Sequence, residues 1–252
     1  MVISKVNYLS FILAFGFALI LLAAGCNQNS GNDHQESVKE KNQVNKEEQE
    51  TIPLVSREDL PEPELSLKTS LEKRRSIRDY EDGEDGVVSL DEVSQLMWAA
   101  QGITEEETGY RTAPSAGATY PMEVYLVVEE AEDLDTGVYN YNSQNHELLK
   151  LKSEAIGEDL MNAALNQEPI GDAPVNVVIT SVYERVKATY GERGIRYAKM
   201  EAGHISQNLY LMSSALDLGT VAIGAFEDEE VKEILDLSEG EEPLYIMPVG
   251  RK

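Results

Sequence analysis

The chain has 252 residues, with 46 acidic and 21 basic side chains and a formal net charge of −25. That acidity argues strongly against nucleic acid as a partner, because a phosphate backbone would be repelled. Cys26 is the only cysteine, which excludes an intramolecular disulfide. The three histidines, at positions 34, 146 and 204, show no convergent metal-binding pattern, so no metal site is predicted.

The N-terminus has the pattern of a bacterial lipoprotein signal. Lys5 is the only charged residue before position 26, and residues 11–24 form an apolar run that is short for a membrane span. The run ends in Leu22-Ala23-Ala24-Gly25-Cys26, which resembles a lipobox, although its leucine stands one position earlier than usual. We therefore expect a signal peptide over 1–25 and a lipid anchor on Cys26 that holds the protein to the cell membrane outside the cytoplasm. An uncleaved anchor helix is the alternative.

The segment after Cys26 is predicted to be a tether. Residues 27–50 contain no aromatic residue and only two valines among polar and charged side chains, so they cannot bury enough apolar surface to offset their ordering entropy. Three prolines, at positions 53, 61 and 63, continue an extended segment to about residue 65. We therefore expect a tether over 26–65 and one folded domain over 66–252.

The domain is predicted to be α+β, with a central mixed sheet flanked by helices. Ser89 and Glu92 form a capping-box pattern that opens one of these helices, and Gly102 ends it. In chain order the predicted elements are helices over 66–75 and 90–101, a strand over 123–129, a hairpin of strands over 137–141 and 148–151, a helix over 153–165, a strand over 174–182, a helix over 193–218, a strand over 220–224, a helix over 228–235 and a strand over 244–249.

The longest predicted helix has a narrow apolar seam. Its members recur at alternating steps of four and three residues: Ala198, Ala202, Ile205, Leu209, Met212 and Leu216. Such a seam packs against another element of the same core, or it forms the central contact between two subunits of a dimer.

A basic cluster precedes these elements. Lys73-Arg74-Arg75-Ser76-Ile77-Arg78 places four cations in six residues of a strongly acidic chain. Guanidinium groups and a serine hydroxyl suit a phosphate. The alternative is a solvated helix end, at which the cations complement the negative end of the helix dipole.

Several stretches behind the cluster complete a family resemblance. They are the proline-serine loop and following strand at 111–121, the helix segment at 201–209, the loop at 219–226 and the ending at 248–251. With Arg74-Arg75-Ser76-Ile77-Arg78, they resemble the nitroreductase superfamily over nearly all of the folded region. The stretches Ser115–Pro121 and Gly203–Asn208 are most similar to SagB-type dehydrogenases.

The resemblance implies an FMN-dependent oxidoreductase, normally a homodimer with two flavins at the subunit interface. Its mechanism would be ping-pong, with a small-molecule electron donor leaving before a small-molecule acceptor binds. The flavin carries the electrons, so no catalytic protein residue is predicted. The implied cofactor-binding residues are Arg74, Arg75, Ser76, Arg78 and Arg251 at the phosphate, Pro114, Ser115, Ala116 and Gly117 along the flavin from the partner subunit, and Gly224 and Ala225 with backbone amides near the ring.

The chain departs from the SagB type at one position. A Lys-Tyr pair is expected just before Gly191-Glu192-Arg193-Gly194, but the chain has Thr189-Tyr190 there, and the nearest lysine is Lys187. A role in forming thiazoles is therefore doubtful. NAD(P)H is also a cytoplasmic donor, whereas the predicted location faces outward. Two hypotheses follow: an oxidoreductase fed by another reductant, or a surface-tethered protein that binds a flavin or another small ligand without turnover.

Overall fold

The computed structural model describes residues 49–63, 65–83 and 86–252. The predicted signal peptide, Cys26 and most of the predicted tether lie outside these residues. Within them, no helix combines the length and the apolar character needed to cross a membrane.

The described residues form eleven strands and seven α-helices. The strands are β1 (Thr51–Pro53), β2 (Val88–Ser89), β3 (Ile103–Glu105), β4 (Tyr110–Arg111), β5 (Met122–Val128), β6 (Ala131–Glu132), β7 (Gly137–Asn142), β8 (Glu147–Lys152), β9 (Val175–Val182), β10 (Leu218–Thr220) and β11 (Glu241–Arg251). The helices are α1 (Leu67–Lys73), α2 (Leu90–Gln101), α3 (Gly157–Ala163), α4 (Glu168–Asp172), α5 (Tyr183–Tyr190), α6 (Arg193–Ala215) and α7 (Asp228–Leu235).

A seven-stranded sheet in the order β1-β8-β7-β5-β9-β11-β10 forms the centre of the α+β fold. Every pairing between neighbours in this sheet is antiparallel, so the expectation of a mixed sheet was wrong. The one parallel contact of this sheet is an isolated bridge from Ser76 to Thr220 of the edge strand β10. Hairpin-like connections explain the antiparallel order, because they join β7 to β8 without a crossover helix.

Helices cover both faces of the sheet. On one face α2 and α6 enclose a core that contains Leu96, Leu126 and Ile205. On the other face α3, α4 and α7 enclose a second core around Val127, Leu160 and Val231. Buried apolar residues thus fill both sides of the central strands, which accounts for the nearly continuous apolar sequences of β5 and β9.

Helix α2 begins and ends at the predicted residues, whereas helix α6 ends earlier than predicted. The side chain of Ser89 accepts a hydrogen bond from the Glu92 N–H, and the Glu92 carboxylate accepts one from the Ser89 N–H, which completes the capping box of α2. Helix α6 is shorter than predicted because Asp217 adopts a positive φ of 59° and turns the chain into β10. The first four seam residues of α6 are buried, so the seam faces the core of its own chain.

Several predictions differ from the structure. The strand predicted over 220–224 is instead β10 over Leu218–Thr220, and beyond it Ile223 forms an isolated bridge to Ile246. Thr51–Pro53 pairs with β8 and Leu54 is buried, so this part of the predicted tether belongs to the folded domain. The predicted helix at 153–165 is helical only over Gly157–Ala163. Helix α5 was not predicted; it follows β9 directly, and its sequence YERVKATY has only one buried residue, Val186, to signal a helix.

Candidate flavin site

The basic cluster begins where α1 ends. Arg74 is the C-cap of α1, and its backbone N–H donates to the carbonyl of Ser70. Its guanidinium carbon lies 5.0 Å from the centroid of the Tyr210 ring, which is a cation–π contact between α1 and α6. Arg75 and Arg78 are exposed. The cluster is therefore anchored through Arg74 and leaves its other two arginines facing solvent.

Ser76 and Tyr210 tie the cluster to the edge of the sheet. The Ser76 hydroxyl lies 2.9 Å from the Tyr210 hydroxyl, which also accepts a hydrogen bond of 2.8 Å from the Ala222 N–H. The Ile77 N–H donates to the Thr220 carbonyl at 3.0 Å. Gly219 allows this docking, because a Cβ there would lie 2.6 Å from Cγ2 of Ile77. The predicted phosphate residues thus occupy a fixed place beside β10.

Of the three arginines of the cluster, only Arg75 donates side-chain hydrogen bonds within the described residues. Among the described residues, no carboxylate lies within ion-pair distance of Arg74, Arg75 or Arg78. Arg75 donates to the carbonyls of Glu72 and Arg74, at 3.1 and 2.7 Å, so it also complements the C-terminal end of α1. Both interpretations of the cluster therefore have a structural counterpart: Arg75 stabilises the helix end, while Arg74 and Arg78 remain available to an anion.

Arg251 has a different partner. Its guanidinium forms a bidentate pair with the Glu92 carboxylate, at 2.7 and 3.1 Å, and donates to the Val87 carbonyl at 3.3 Å. Glu92 also closes the capping box of α2, so the pair joins the last residue of β11 to that helix. These contacts engage both terminal nitrogens of the Arg251 guanidinium. Within the described residues, its geometry does not support the predicted role at a phosphate.

The proline-serine loop is a tight turn. Ala116–Ala118 forms a single 3-10 turn in which Gly117 has φ 60°, and a Cβ at Gly117 would lie 2.6 Å from the Tyr190 hydroxyl. The Ser115 hydroxyl accepts a hydrogen bond of 2.9 Å from the Tyr120 N–H. Pro114 and Gly117 are exposed. The loop therefore presents small, exposed groups on its outer side, as contact with a flat ring requires, while the side chain of Ser115 is engaged within the chain.

Gly224 and Ala225 are exposed in the segment between β10 and α7. Two mutual hydrogen bonds of 2.9 Å between Ile223 and Ile246 hold the start of this segment against β11. The Ala225 carbonyl accepts from Gln167 Nε2 at 2.8 Å. Among the described residues, no acceptor takes the N–H groups of Gly224 or Ala225, so these amides are available to a ligand.

The loop and the basic cluster lie on different sides of α6. Glu201 of this helix lies next to Ser115 of the loop, whereas Tyr210 contacts Arg74 and Ser76 of the cluster. Nine residues separate Glu201 from Tyr210, which is two and a half helical turns and about 14 Å along the axis. Their side chains therefore leave α6 in opposite directions, and one chain does not bring the two predicted flavin-contacting groups to the same side of the helix.

A buried polar cluster beside the loop was not predicted from the sequence. Glu201 is only 2% exposed, and the residues near its carboxylate are Ser115, Gln101 of α2 and Arg111 of β4. Burial raises the pKa of Glu201 to about 7, although these three neighbours oppose the rise. Burial also lowers the pKa of Arg111. Arg111 donates to Gln101 Oε1 at 3.0 Å and lies 4.4 Å above the Tyr120 ring.

The chain has residues that fit the phosphate of FMN. Arg74 and Arg78 have charges that no described carboxylate neutralises, and the hydroxyl of Ser76 lies between them in sequence. Guanidinium groups donate to phosphate oxygens with charge-assisted hydrogen bonds. In a chain of net charge −25, two neighbouring arginines without a described carboxylate partner suit an anionic ligand.

Comparisons with known proteins identify the family of the chain. Among curated proteins, one described as a nitroreductase in Methanocaldococcus jannaschii is 46% identical over 189 residues, which are 75% of this chain and 92% of that protein. The microcin B17-processing protein McbC of Escherichia coli is 25% identical over 159 residues, 60% of this chain and 58% of that protein.

Solved structures give the same result for the fold. A structure described as a nitroreductase from Anabaena variabilis has a TM-score of 0.68 at 28% identity and covers 81% of this chain and 42% of that chain. Another from Ralstonia eutropha has a TM-score of 0.66 at 26% identity and covers 79% of this chain and 93% of that chain. The profile of the nitroreductase family matches residues 71–251, which include all of α2 and α6 and the seven-stranded sheet except β1. The chain therefore belongs to the nitroreductase family.

Proposed function

We propose that this chain is an FMN-dependent oxidoreductase that passes electrons in turn from a small-molecule donor to a small-molecule acceptor. The observation that carries the proposal is the docked basic cluster: Arg74 and Arg78 have no carboxylate partner among the described residues, and Ser76 is held beside them by Tyr210. When bound, FMN supplies the redox chemistry, since its ring accepts and releases the electrons.

The chain's own residues would bind and orient the cofactor. Arg74 and Arg78 would donate to the phosphate, and Ser76 would add a hydroxyl donor while keeping its contact with Tyr210. The free backbone N–H groups of Gly224 and Ala225 would donate to the edge of the ring. The proposed electron transfer requires no side chain to act as an acid, base or nucleophile, because the flavin ring carries the electrons.

We propose that the working form is a homodimer in which each flavin contacts both chains. The opposite placement of the loop and the basic cluster around α6 supports this form, because a second chain could bring its loop to the first chain's cluster. The surface beside the cluster is also apolar: Leu67 and Leu71 of α1 are 67% and 54% exposed. Leu67 lines a groove of about 350 Å³ together with Trp98 and Met212, among others. Burial of these side chains against a second copy would stabilise a dimer.

Mixing two variants tests the shared site. One chain carries Arg74→Ala with Arg78→Ala, and the other carries Pro114→Trp, a bulky group at an exposed position of the loop. Neither homodimer should bind FMN well. A mixed dimer should bind one FMN, because one of its two sites combines an intact cluster with an intact loop from the other chain. A mixed dimer that binds no FMN would show that cluster and loop act within one chain.

The residues at the expected Lys-Tyr position argue against an azoline-containing peptide as the electron donor. Lys187, the lysine nearest to the expected Lys-Tyr pair, forms ion pairs of 2.9 and 3.1 Å with Glu184 and Glu192. These two carboxylates raise its pKa, which disfavours the neutral amine that a general base requires. We therefore propose a small-molecule electron donor rather than oxidation of an azoline to a thiazole.

We propose that lipid on Cys26 anchors the enzyme to the outer face of the cell membrane. The apolar run before Gly25-Cys26 supports this location, as does the polar composition of residues 27–50. Labelling of cells with a radioactive fatty acid should mark the wild-type chain and not a Cys26→Ala variant. In this location the donor would be a membrane quinol or an exported reduced cofactor, with oxygen as a further acceptor.

The deciding experiment is a visible absorption spectrum of the purified chain, followed by release and chromatography of any bound chromophore. Released FMN that is reduced by a quinol analogue and reoxidised by an acceptor over many cycles supports the proposal. Bound FMN that no donor reduces would favour the surface-tethered binding protein. A chain that neither contains nor takes up FMN contradicts the cofactor assignment.

A further inference from the structure

The first two turns of α6 carry a second group of cations that no described carboxylate neutralises. They are Arg193, Arg196 and Lys199, which are all exposed and lie beyond ion-pair distance of every carboxylate in the described ranges. The two carboxylates that precede them, at positions 184 and 192, are paired with Lys187. Residues 183–200 contain five basic and two acidic side chains, whereas acidic residues outnumber basic ones more than twofold in the whole chain.

The position of these cations is unfavourable for the helix itself. The N-terminal end of a helix has a partial positive charge, which favours carboxylates and disfavours cations. Helices α2, α3 and α7 have acidic residues in the first turn, whereas α6 has none there. Arg193 and Arg196 are also three positions apart, so they repel each other on one side of the helix. The helix dipole therefore does not account for these cations, and an anionic partner outside the described residues does.

The surface around these cations is partly apolar. Met200 is 56% exposed and Tyr190 is 38% exposed, and the Tyr190 ring packs edge-on against Tyr197 with a centroid distance of 5.2 Å. Arg193, Arg196 and Met200 border the same open surface. Cations beside exposed apolar and aromatic side chains suit a layer of lipid phosphates above acyl chains. A single small anion fits less well, because the three cations are exposed and spread over about 9 Å of helix.

The length of chain outside the described domain allows this surface to reach a membrane. The proposed anchor is Cys26, and 22 residues separate it from position 49, where the described residues begin. Fully extended, 22 residues span at most about 75 Å. A domain of about 200 residues has a diameter of only about 40 Å. Every face of the domain is therefore within reach of the bilayer, and the surface charge selects the face that is favoured.

We propose that the basic face of α6, formed by Arg193, Arg196, Lys199 and Met200, docks on an anionic phospholipid surface and orients the anchored domain there. The three cations would donate to headgroup phosphates, and Met200 would contact the boundary with the acyl chains. The cluster at 74–78 would hold the FMN phosphate, and the rest of the chain is strongly acidic, so the basic face is the side that such a surface attracts.

This docking would bring the proline-serine loop toward the bilayer. Tyr190 borders the loop, since a Cβ at Gly117 would lie 2.6 Å from the Tyr190 hydroxyl, and its ring contacts Tyr197 of α6. A membrane quinol would then meet the side of the domain that carries the loop. The closeness of the membrane rests on the proposed anchor at Cys26, whereas the attraction of the basic face to anionic lipid does not.

Hydrogen–deuterium exchange on vesicles tests the docking. A chain that begins at Cys26 is coupled through this single thiol to maleimide lipids, which holds it at a surface whether or not cells attach a lipid there. Exchange is compared between phosphatidylcholine vesicles and vesicles that also contain phosphatidylglycerol. On the anionic vesicles we expect the protection of residues 190–200 to be about fivefold greater or more, since each cation near an anionic surface favours docking by roughly that factor. High salt should remove the difference.

Two double variants with the same change in net charge separate the basic face from a general charge effect. Arg193→Glu with Arg196→Glu should abolish the difference between the two kinds of vesicle. Arg57→Glu with Lys68→Glu, at exposed positions outside this face, should keep it. Equal protection of the wild-type chain on both vesicles would overturn the proposal, as would a difference that persists in the first variant or is lost in the second.

Inorganic phosphate without vesicles is the remaining comparison. If it protects residues 190–200 as strongly as the anionic vesicles do, the face binds a free anion and the proposal is wrong. Failure of the anchor would show separately, as an absence of fatty-acid label on Cys26 in cells together with intact docking of the coupled chain.

Discussion

Replacement of Arg74 and Arg78 by alanine should weaken FMN binding far more than riboflavin binding. Each arginine would contribute a charge-assisted hydrogen bond to the phosphate, worth about 1.5–3 kcal/mol. Loss of both should cost about 3–6 kcal/mol, which is roughly two to four orders of magnitude in Kd. Arg75 should matter less, because its guanidinium already donates to two backbone carbonyls at the end of α1.

Fluorescence titration with FMN and with riboflavin, at one ionic strength, separates phosphate recognition from binding of the ring. Riboflavin lacks the phosphate, so its affinity should be nearly unchanged by the double substitution. Arg193→Ala with Arg196→Ala, which removes two other exposed cations from α6, controls for loss of general positive charge. A thermal melt of each variant is needed, since Arg74 also contacts the Tyr210 ring. An unchanged ratio of FMN to riboflavin affinity would refute the assignment of the cluster to the phosphate.

The remaining predictions concern the loop, a helix cap and the buried acid. Gly117→Ala should destabilise the chain by about 1–3 kcal/mol, because φ is 60° and the new Cβ would meet the Tyr190 hydroxyl at 2.6 Å; a thermal melt measures the loss, and Tyr190→Phe should recover part of it. Ser89→Ala removes the cap of α2 and should cost about 1 kcal/mol, or a Tm roughly 2–4 °C lower by circular dichroism. The pKa of Glu201 is raised by folding from 4.5 to about 7, so its ionisation destabilises the fold progressively as the pH rises through this interval, by about 3 kcal/mol in total. Glu201→Gln should therefore flatten the dependence of urea-unfolding free energy on pH between 5 and 8, and a wild-type curve without that slope would contradict the assignment.

Helices with local start and stop signals were predicted accurately from the sequence. The capping box at Ser89 and the stop at Gly102 bound α2 correctly, and 228–235 matches α7. Elements that depend on distant partners were predicted poorly. Thr51–Pro53 becomes a strand only because β8 offers it an edge, and a proline-rich polar segment has no local pattern that indicates such a partner. The antiparallel order of the sheet is likewise a property of the whole fold.

In the candidate site too, some features follow from local residue types, whereas others depend on distant partners in the fold. The residue types of the basic cluster and of the proline-serine loop predict a phosphate and a flavin contact, and the structure gives Arg74 and Ser76 defined contacts with Tyr210. Arg251 has the same chemistry as Arg74, yet its place at the end of β11 brings it to Glu92. A residue type suggests which ligand a side chain can bind, but only the fold decides whether a closer carboxylate binds it first.

Glu201 shows the opposite case, in which the fold creates a property that the sequence conceals. A glutamate on a helix in an acidic chain is expected to face solvent, and the seam of α6 gives no reason to single it out. Its burial follows from the packing of α2 and the loop against that turn of the helix. Tyr210, two and a half turns later, faces the basic cluster. Helix α6 therefore adjoins both halves of the proposed flavin site: Glu201 lies near Ser115 of the loop on one side, and Tyr210 contacts Arg74 and Ser76 on the other. Because the two halves point apart in one chain, we propose that a second copy supplies the missing half of each site.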